Sequence, residues 1–199
     1  MSELDPLFIP TRGLGWAETP FWHGKETQQA KDLSPLWKTY HEEAFAAEMA
    51  RGVPLMRVIP VDTSLKDQSE ILPFDEIRPL VEATRYQAVA HCPCRMNSRF
   101  RGEPCGYSTE NCLHFDGMGR YMVEHGLARQ ITREETMKIL KAADDEGLVH
   151  IINNMEGHMD TICNCCGCCC SFLQPINQKT GLDILSYSNY LARVDVETC

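Results

Sequence analysis

The chain has no run of about 18 apolar residues, the length a membrane-crossing helix needs, so membrane insertion is not expected. It is also short of positive charge. Nineteen Lys and Arg stand against 28 Asp and Glu, a formal net charge of -9, which argues against general affinity for a phosphate backbone and leaves no nucleic-acid partner expected. The opening residues Met1 to Pro6 carry neither a basic start nor an apolar stretch of signal-peptide length, so a cytoplasmic location is expected. There is no His-Ser-Asp or paired-carboxylate constellation at a recognisable spacing and no Gly-rich phosphate loop. Flavin or nucleotide binding and stand-alone organic catalysis are therefore unsupported. No internal repeat or low-complexity block occurs.

Cysteine is what the chain has in excess: 11 in 199 residues. Cys163, Cys165, Cys166, Cys168, Cys169 and Cys170 fall within eight residues, Cys92, Cys94, Cys105 and Cys112 lie upstream, and Cys199 is the last residue. Adjacent cysteines bridge one another only with strain, and intracellular thiols are normally kept reduced, so soft-metal chemistry is expected rather than a disulfide framework.

Local signals describe an α+β chain, a small mixed domain with helices, short strands and two cysteine-rich loops. Ser34-Pro35 reads as an N-cap with proline in the first turn, opening a core-facing helix through Arg51 that Gly52 closes. Leu55 to Val61 reads as a strand limited by Pro60, Asp62 to Glu70 as a linker, and Phe74 to Thr84 as a helix interrupted or begun at Pro79. Tyr86 to His91 reads as a strand that delivers the chain to Cys92. Phe115 to His125 is expected to be helical, closed by Gly126. Thr132 and Glu135 form a capping box for a helix ending at Gly147, and Leu148 to Ile152 follows as a strand. This last pair has the look of a partial winged helix, with Asp144, Asp145 and Glu146 near the helix end opposing a nucleic-acid role. The division expected is residues 1–68, an N-terminal helical and strand segment, and 69–199, the cysteine-rich domain.

The first thiol group has a physical logic. If Cys92-Pro93-Cys94 is extended, both sulfurs point to one side, and a turn-rich loop around Cys105 could return a third, with Cys112 as the fourth. Arg95, Arg99 and Arg101 could offset thiolate charge or form a solvated run, and His91 and His114 flank the group as substitute ligands or simple polar neighbours. Zinc is the alternative metal, but the spacings of one, ten and six residues fit paired zinc knuckles poorly. In the second group, neighbours such as Cys165 and Cys166 should turn apart in extended chain, so one local site can hardly use all six thiols. Surplus thiols favour a multi-iron cluster, and Gly167 would permit a tight wrap around it.

The ordered set His91-Cys92-Pro93-Cys94-Arg95, Gly102-Glu103-Pro104-Cys105, Glu110-Asn111-Cys112-Leu113, Ile131 to Glu135, Glu146 to His150 and Ile162-Cys163-Asn164-Cys165-Cys166-Gly167 resembles a family of 4Fe-4S ferredoxin-type proteins of anaerobic bacteria and archaea. The similarity covers residues 55 to 199. It implies an iron-sulfur electron-transfer protein, or the corresponding subunit of an anaerobic redox complex, partnered by redox proteins. Two 4Fe-4S clusters are implied, one on Cys92, Cys94, Cys105 and Cys112, the other on Cys163, Cys165, Cys166 and either Cys169 or Cys170. Family members commonly run on, after a segment similar to Ser188 to Asp195, into a two-cluster ferredoxin module, and Cys199 stands where its first ligand would be. Many carry an N-terminal winged helix that is not evident in this sequence. Where this chain has Cys168 the family more often has an acidic residue, which makes Cys168 the least favoured ligand. A cluster-based redox or iron sensor is the alternative function. Cys165-Cys166-Gly167 is also similar to the motifs of heterodisulfide reductase catalytic subunits, although those are longer and spread out.

Overall fold

The computed structural model describes residues 21–22, 24–52, 54–60, 77–154, 159–182 and 184–186. The linker expected at 62–70, the first residues of the helix expected from Phe74, the segment 188–195 and Cys199 lie outside the described residues. No helix among the described residues is long and apolar enough to cross a membrane.

The fold is α+β. In chain order the elements are α1 (Gln28–Tyr40), a π-helical turn (His41–Phe45), α2 (Ala46–Met49), β1 (Met56–Val58), α3 (Ile77–Ala83), β2 (Gln87–His91), α4 (Pro93–Phe100) and β3 (Glu110–Phe115). There follow α5 (Asp116–Glu124), β4 (Arg129–Ile131), α6 (Arg133–Asp145), β5 (Val149–Asn153), β6 (Thr161–Cys165), α7 (Leu173–Asn177) and β7 (Leu185–Ser186). The described strands form one sheet of seven in the order β4-β2-β3-β6-β5-β1-β7, antiparallel except for the β1–β7 pair. Strand β1, from the N-terminal segment, is hydrogen-bonded to β5, with Arg57 opposite Ile152. Residues on both sides of position 68 thus share one sheet.

The pleat sorts the side chains of this sheet, because alternate residues of a strand face opposite ways. Val89, Leu113, Phe115, Ile152 and Ile162 join Ile77, Val81 and Leu140, from α3 and α6, in the largest apolar cluster. On the alternate positions, Ala90 and Cys112 pack with Trp22 and Met122, while Ile151 and Cys165 pack with Phe45 and Phe172. One face of the sheet is therefore an aliphatic core. The other carries sulfur.

The helices expected at Phe115 and Thr132 are present within a residue, and Gly126 and Gly147, which end them, adopt φ +67° and +69°, the left-handed values that favour glycine. Thr132 Oγ1 accepts from Glu135 N at 3.1 Å, while the Glu135 carboxylate pairs with Arg129. The strand after α6 lies inside the sheet, between β6 and β1.

Four local expectations are corrected. The first helix begins at Gln28, capped by Thr27, and Ser34 sits inside it with Oγ donating to Ala30 O at 2.6 Å. Pro35 therefore lies within the helix and not at its start. Pro93 opens α4, so Cys92 is its N-cap in extended conformation and Cys94 belongs to the first helical turn; the Cys92-Pro93-Cys94 step is not a strand. Cys112 lies in β3, four positions before a helix that starts at Asp116. Cys163 and Cys165 lie in β6, not in a loop.

Two substitutions test the α6 contribution by chemical unfolding. Thr132→Ala removes the cap and is expected to cost about 1 kcal/mol, whereas Leu140→Ala opens a cavity in the aliphatic core and is expected to cost about 2–5 kcal/mol. Equal small losses would show that α6 does not anchor this face.

His114 lends the fold a pH dependence. It is buried, stacked edge-on to Trp22 at 5.2 Å, and burial pushes its pKa down to about 4. The unfolded chain, with an ordinary histidine value of about 6.5, takes up the proton first as pH falls, so stability present above that value is lost toward pH 4. The expected loss is on the order of 3 kcal/mol. An NMR titration in which His114 protonates near pH 6.5 in the folded protein would refute this.

Candidate metal centre

The ten described cysteines are all free thiols. They gather into two adjoining groups that do not follow the two sequence groups.

The larger group contains Cys92, Cys94, Cys112, Cys163, Cys165 and Cys170, which line one enclosure with Trp22, Pro93 and Phe172; Cys166 lines it too, at the border with the second group. Sheet register explains half of it. Leu113 pairs with Ile162 across β3 and β6, so continuing the antiparallel ladder sets Cys112 against Cys163, and Cys165 lies two positions further on the same face. Ala90 pairs with Cys112 across β2 and β3, and Cys92 follows Ala90 past an irregularity in the register. Cys92 N donates to Thr109 O at 2.7 Å, which holds the turn into α4 and places Cys94 on its first turn. Cys94 Sγ then lies 3.5 Å from Ser171 Oγ. Cys170 arrives from the tight turn after β6, with its N–H donating to Cys166 O at 3.2 Å.

Protons are unequally held here. Cys94 accepts from the Cys170 and Cys92 thiols, and Cys163 from the Cys112 and Cys165 thiols; these hydrogen bonds hold both well below the usual thiol range. Donating to those thiolates, and then burial, pushes Cys92 and Cys112 well up. Thiols of unequal acidity in an apolar wall are chemically a set of soft donors, from which metal binding would release protons.

The smaller group contains Cys105, Cys166, Cys168 and Cys169, whose sulfurs all lie within 4.8 Å of one another. It can hold a metal ion. Cys166 is buried, Cys105 and Cys169 are half-buried and Cys168 is exposed. Hydrogen bonding from Cys169, with help from the Arg95 guanidinium, takes Cys166 down to about 4. Asn177 packs against the turn at Gly167, where a Cβ would meet its Nδ2 at 2.7 Å, and that amide donates to Gly167 O at 3.1 Å.

Compared with protein-family models, with curated proteins and with solved structures, the chain matches none. The site is therefore read from its own residues.

Of the ligands expected together, Cys92, Cys94 and Cys112 share one enclosure, but Cys105 stands with Cys166, Cys168 and Cys169. Cys163, Cys165 and Cys170 join the upstream trio. Cys168, the least favoured candidate, is one of the four close thiols. Of the adjacent pair, Cys165 lines the enclosure only, whereas Cys166, just past the end of β6, lines it and also stands among the four close thiols. His91 Nδ1 lies 3.1 Å from Thr109 Oγ1 and His114 Nδ1 lies 3.3 Å from Thr161 Oγ1.

Arg95 joins the two groups. It is 1% exposed, the largest fully buried side chain among the described residues, with Nη1 donating to Ser108 O at 2.6 Å and Nη2 to Asn164 O at 2.8 Å. Burial opposes its charge, but the sulfurs of Cys92, Cys166 and Cys105 hold the guanidinium protonated. Of the three arginines in this stretch, Arg99 is exposed and Arg101 bonds Asn97 and Glu103. Asn164 completes the frame: Nδ2 donates to Asn111 O at 2.6 Å, and Oδ1 accepts from His150 Nδ1 at 2.6 Å. Sequence spacing alone did not mark Asn164. Its place between Cys163 and Cys165 is the signal, since the residue between two ligands of a strand must face the opposite layer.

Arg95→Met should leave the Ser108 and Asn164 carbonyls without donors, at about 1–3 kcal/mol each. Arg95→Lys should recover little, because one ammonium cannot replace the planar fork that spans both. Denaturant midpoints of the two variants check this, and a lysine variant as stable as the parent would refute it.

Proposed function

We propose that the chain is an iron-sulfur electron-transfer protein, or the electron-transfer subunit of an anaerobic redox complex, with a polynuclear cluster held by the larger thiol group. The observation that carries this is the convergence of Cys92, Cys94, Cys112, Cys163, Cys165 and Cys170 on one enclosure walled by Trp22 and Phe172. Six donors exceed what one zinc ion accepts, while iron-sulfur clusters are held by cysteine thiolates and tuned by burial and hydrogen bonding. A bound cluster supplies one-electron acceptance and donation. The chain supplies the donors, the apolar wall that keeps water away, and the Arg95 cation that offsets thiolate charge.

The overall charge of -9 fits a redox-protein partner better than DNA. The same balance and the unprotected thiols suit a reducing, cytoplasmic setting.

Anaerobic reconstitution followed by iron and acid-labile sulfide analysis, with EPR of the reduced protein, tests the proposal. Because Cys94 and Cys163 face one enclosure, Cys94→Ser and Cys163→Ser are each expected to remove the same cluster, about four irons with matching sulfide if it is a cube. Protein that carries zinc and no sulfide after anaerobic purification would overturn the reading. So would tight, sequence-dependent DNA binding at physiological salt, which would favour a sensor.

A further inference from the structure

The two thiol groups differ in kind. Around a single ion with metal–sulfur bonds of about 2.3 Å, tetrahedral thiolates lie roughly 3.8 Å apart. The sulfurs of Cys105, Cys166, Cys168 and Cys169 all fall within 4.8 Å of one another, and those of Cys168 and Cys169 are 3.7 Å apart. A cube interposes four irons and four sulfides between its thiolates and holds them further apart than one ion does. Spacing of this kind matches the edge of a tetrahedron around one atom.

The surroundings fit the charge of such a site. Four thiolates on a divalent ion leave a net charge near -2, which needs a cation or donors when part of the site is buried. Arg95 lies beside Cys166, and its Nε is buried with no hydrogen-bond partner among the described residues. Ser98 lies against Cys169, and its Oγ donates to Glu103 O at 2.6 Å. The turn itself is held independently of metal, with Gln174 Nε2 donating to Cys168 O at 2.7 Å.

We propose that Cys105, Cys166, Cys168 and Cys169 form a mononuclear tetrathiolate site, adjoining the polynuclear one at Cys166, that takes a single thiophilic divalent ion, zinc or iron. Both ions share the chemistry the site recognises. The proposal deepens the metal reading above but does not depend on its iron-sulfur part. No redox step is required of the ion, which ties the loop carrying Cys105 to the turn after β6.

The test uses the full chain, purified anaerobically, with zinc, iron and acid-labile sulfide counted for the parent, Cys105→Ser, Cys168→Ser and Cys94→Ser. Cys168 is exposed, so its replacement leaves the core intact, and circular dichroism checks the fold of each variant. Cys105→Ser and Cys168→Ser are each expected to lose one metal atom per chain with sulfide unchanged, whereas Cys94→Ser keeps that atom. If the atom is zinc, its X-ray absorption edge should report four sulfurs at about 2.3 Å and no neighbouring metal. If it is iron, the Mössbauer signal of one high-spin tetrathiolate iron should vanish in Cys168→Ser. Loss of several irons together with sulfide from Cys168→Ser would show a cluster and overturn the proposal, as would unchanged metal in both variants. A parent free of sulfide whose Cys168→Ser variant still loses one atom would sink the iron-sulfur reading and leave this site standing.

Discussion

The thiol face of the sheet depends on the pleat of β6. In Thr161–Cys165 the odd positions turn Cys163 and Cys165 toward the thiol face, and the even positions turn Ile162 into the aliphatic core and Asn164 toward His150. The strand is held in this register by β3 on one side and β5 on the other. A slip of one residue would send both sulfurs into the aliphatic layer and bring Ile162 to the donors. Asn164 guards against that slip, because its amide, its side-chain oxygen and its backbone carbonyl each bond a different element. Arg95 extends the same frame from β6 to α4.

Burial of so many sulfurs sets a second constraint. A free thiol packs as a small hydrophobe, and Cys112, Cys165 and Cys170 sit in apolar clusters beside Trp22, Phe45 and Phe172. The same groups, once deprotonated, need cations. The thiol face therefore combines a wall that packs without metal and a donor set whose charge only a metal or Arg95 can offset.

Much of the scaffold was legible in the sequence. Thr132 with Glu135, and the glycines at 126 and 147, marked two helices because caps and left-handed stops are local chemistry. Pro35 misled, since a proline after serine also fits inside a helix that Thr27 has already started. Strands β3 and β6 were hidden because their inward positions carry Cys, Asn and His in place of Val or Ile, so ligand character masked strand character. The thiols expected in both sequence groups do converge, but the partition between them was not readable. Cys105 follows ten residues of helix and loop after Cys94, and spacing cannot say which of two neighbouring centres such a loop reaches. The sheet decides it, by filling the larger enclosure from β3 and β6.

Cys166 lines the larger enclosure and is also one of the four close thiols, so the two groups meet at one residue, a single peptide unit of about 3.8 Å from Cα to Cα beyond Cys165. Two thiol groups joined in this way cannot move apart, and neither can be reshaped alone. A change in charge or bond length at one must be felt as a pull on the backbone of the other, which makes the pair a mechanical unit as well as an electrostatic one.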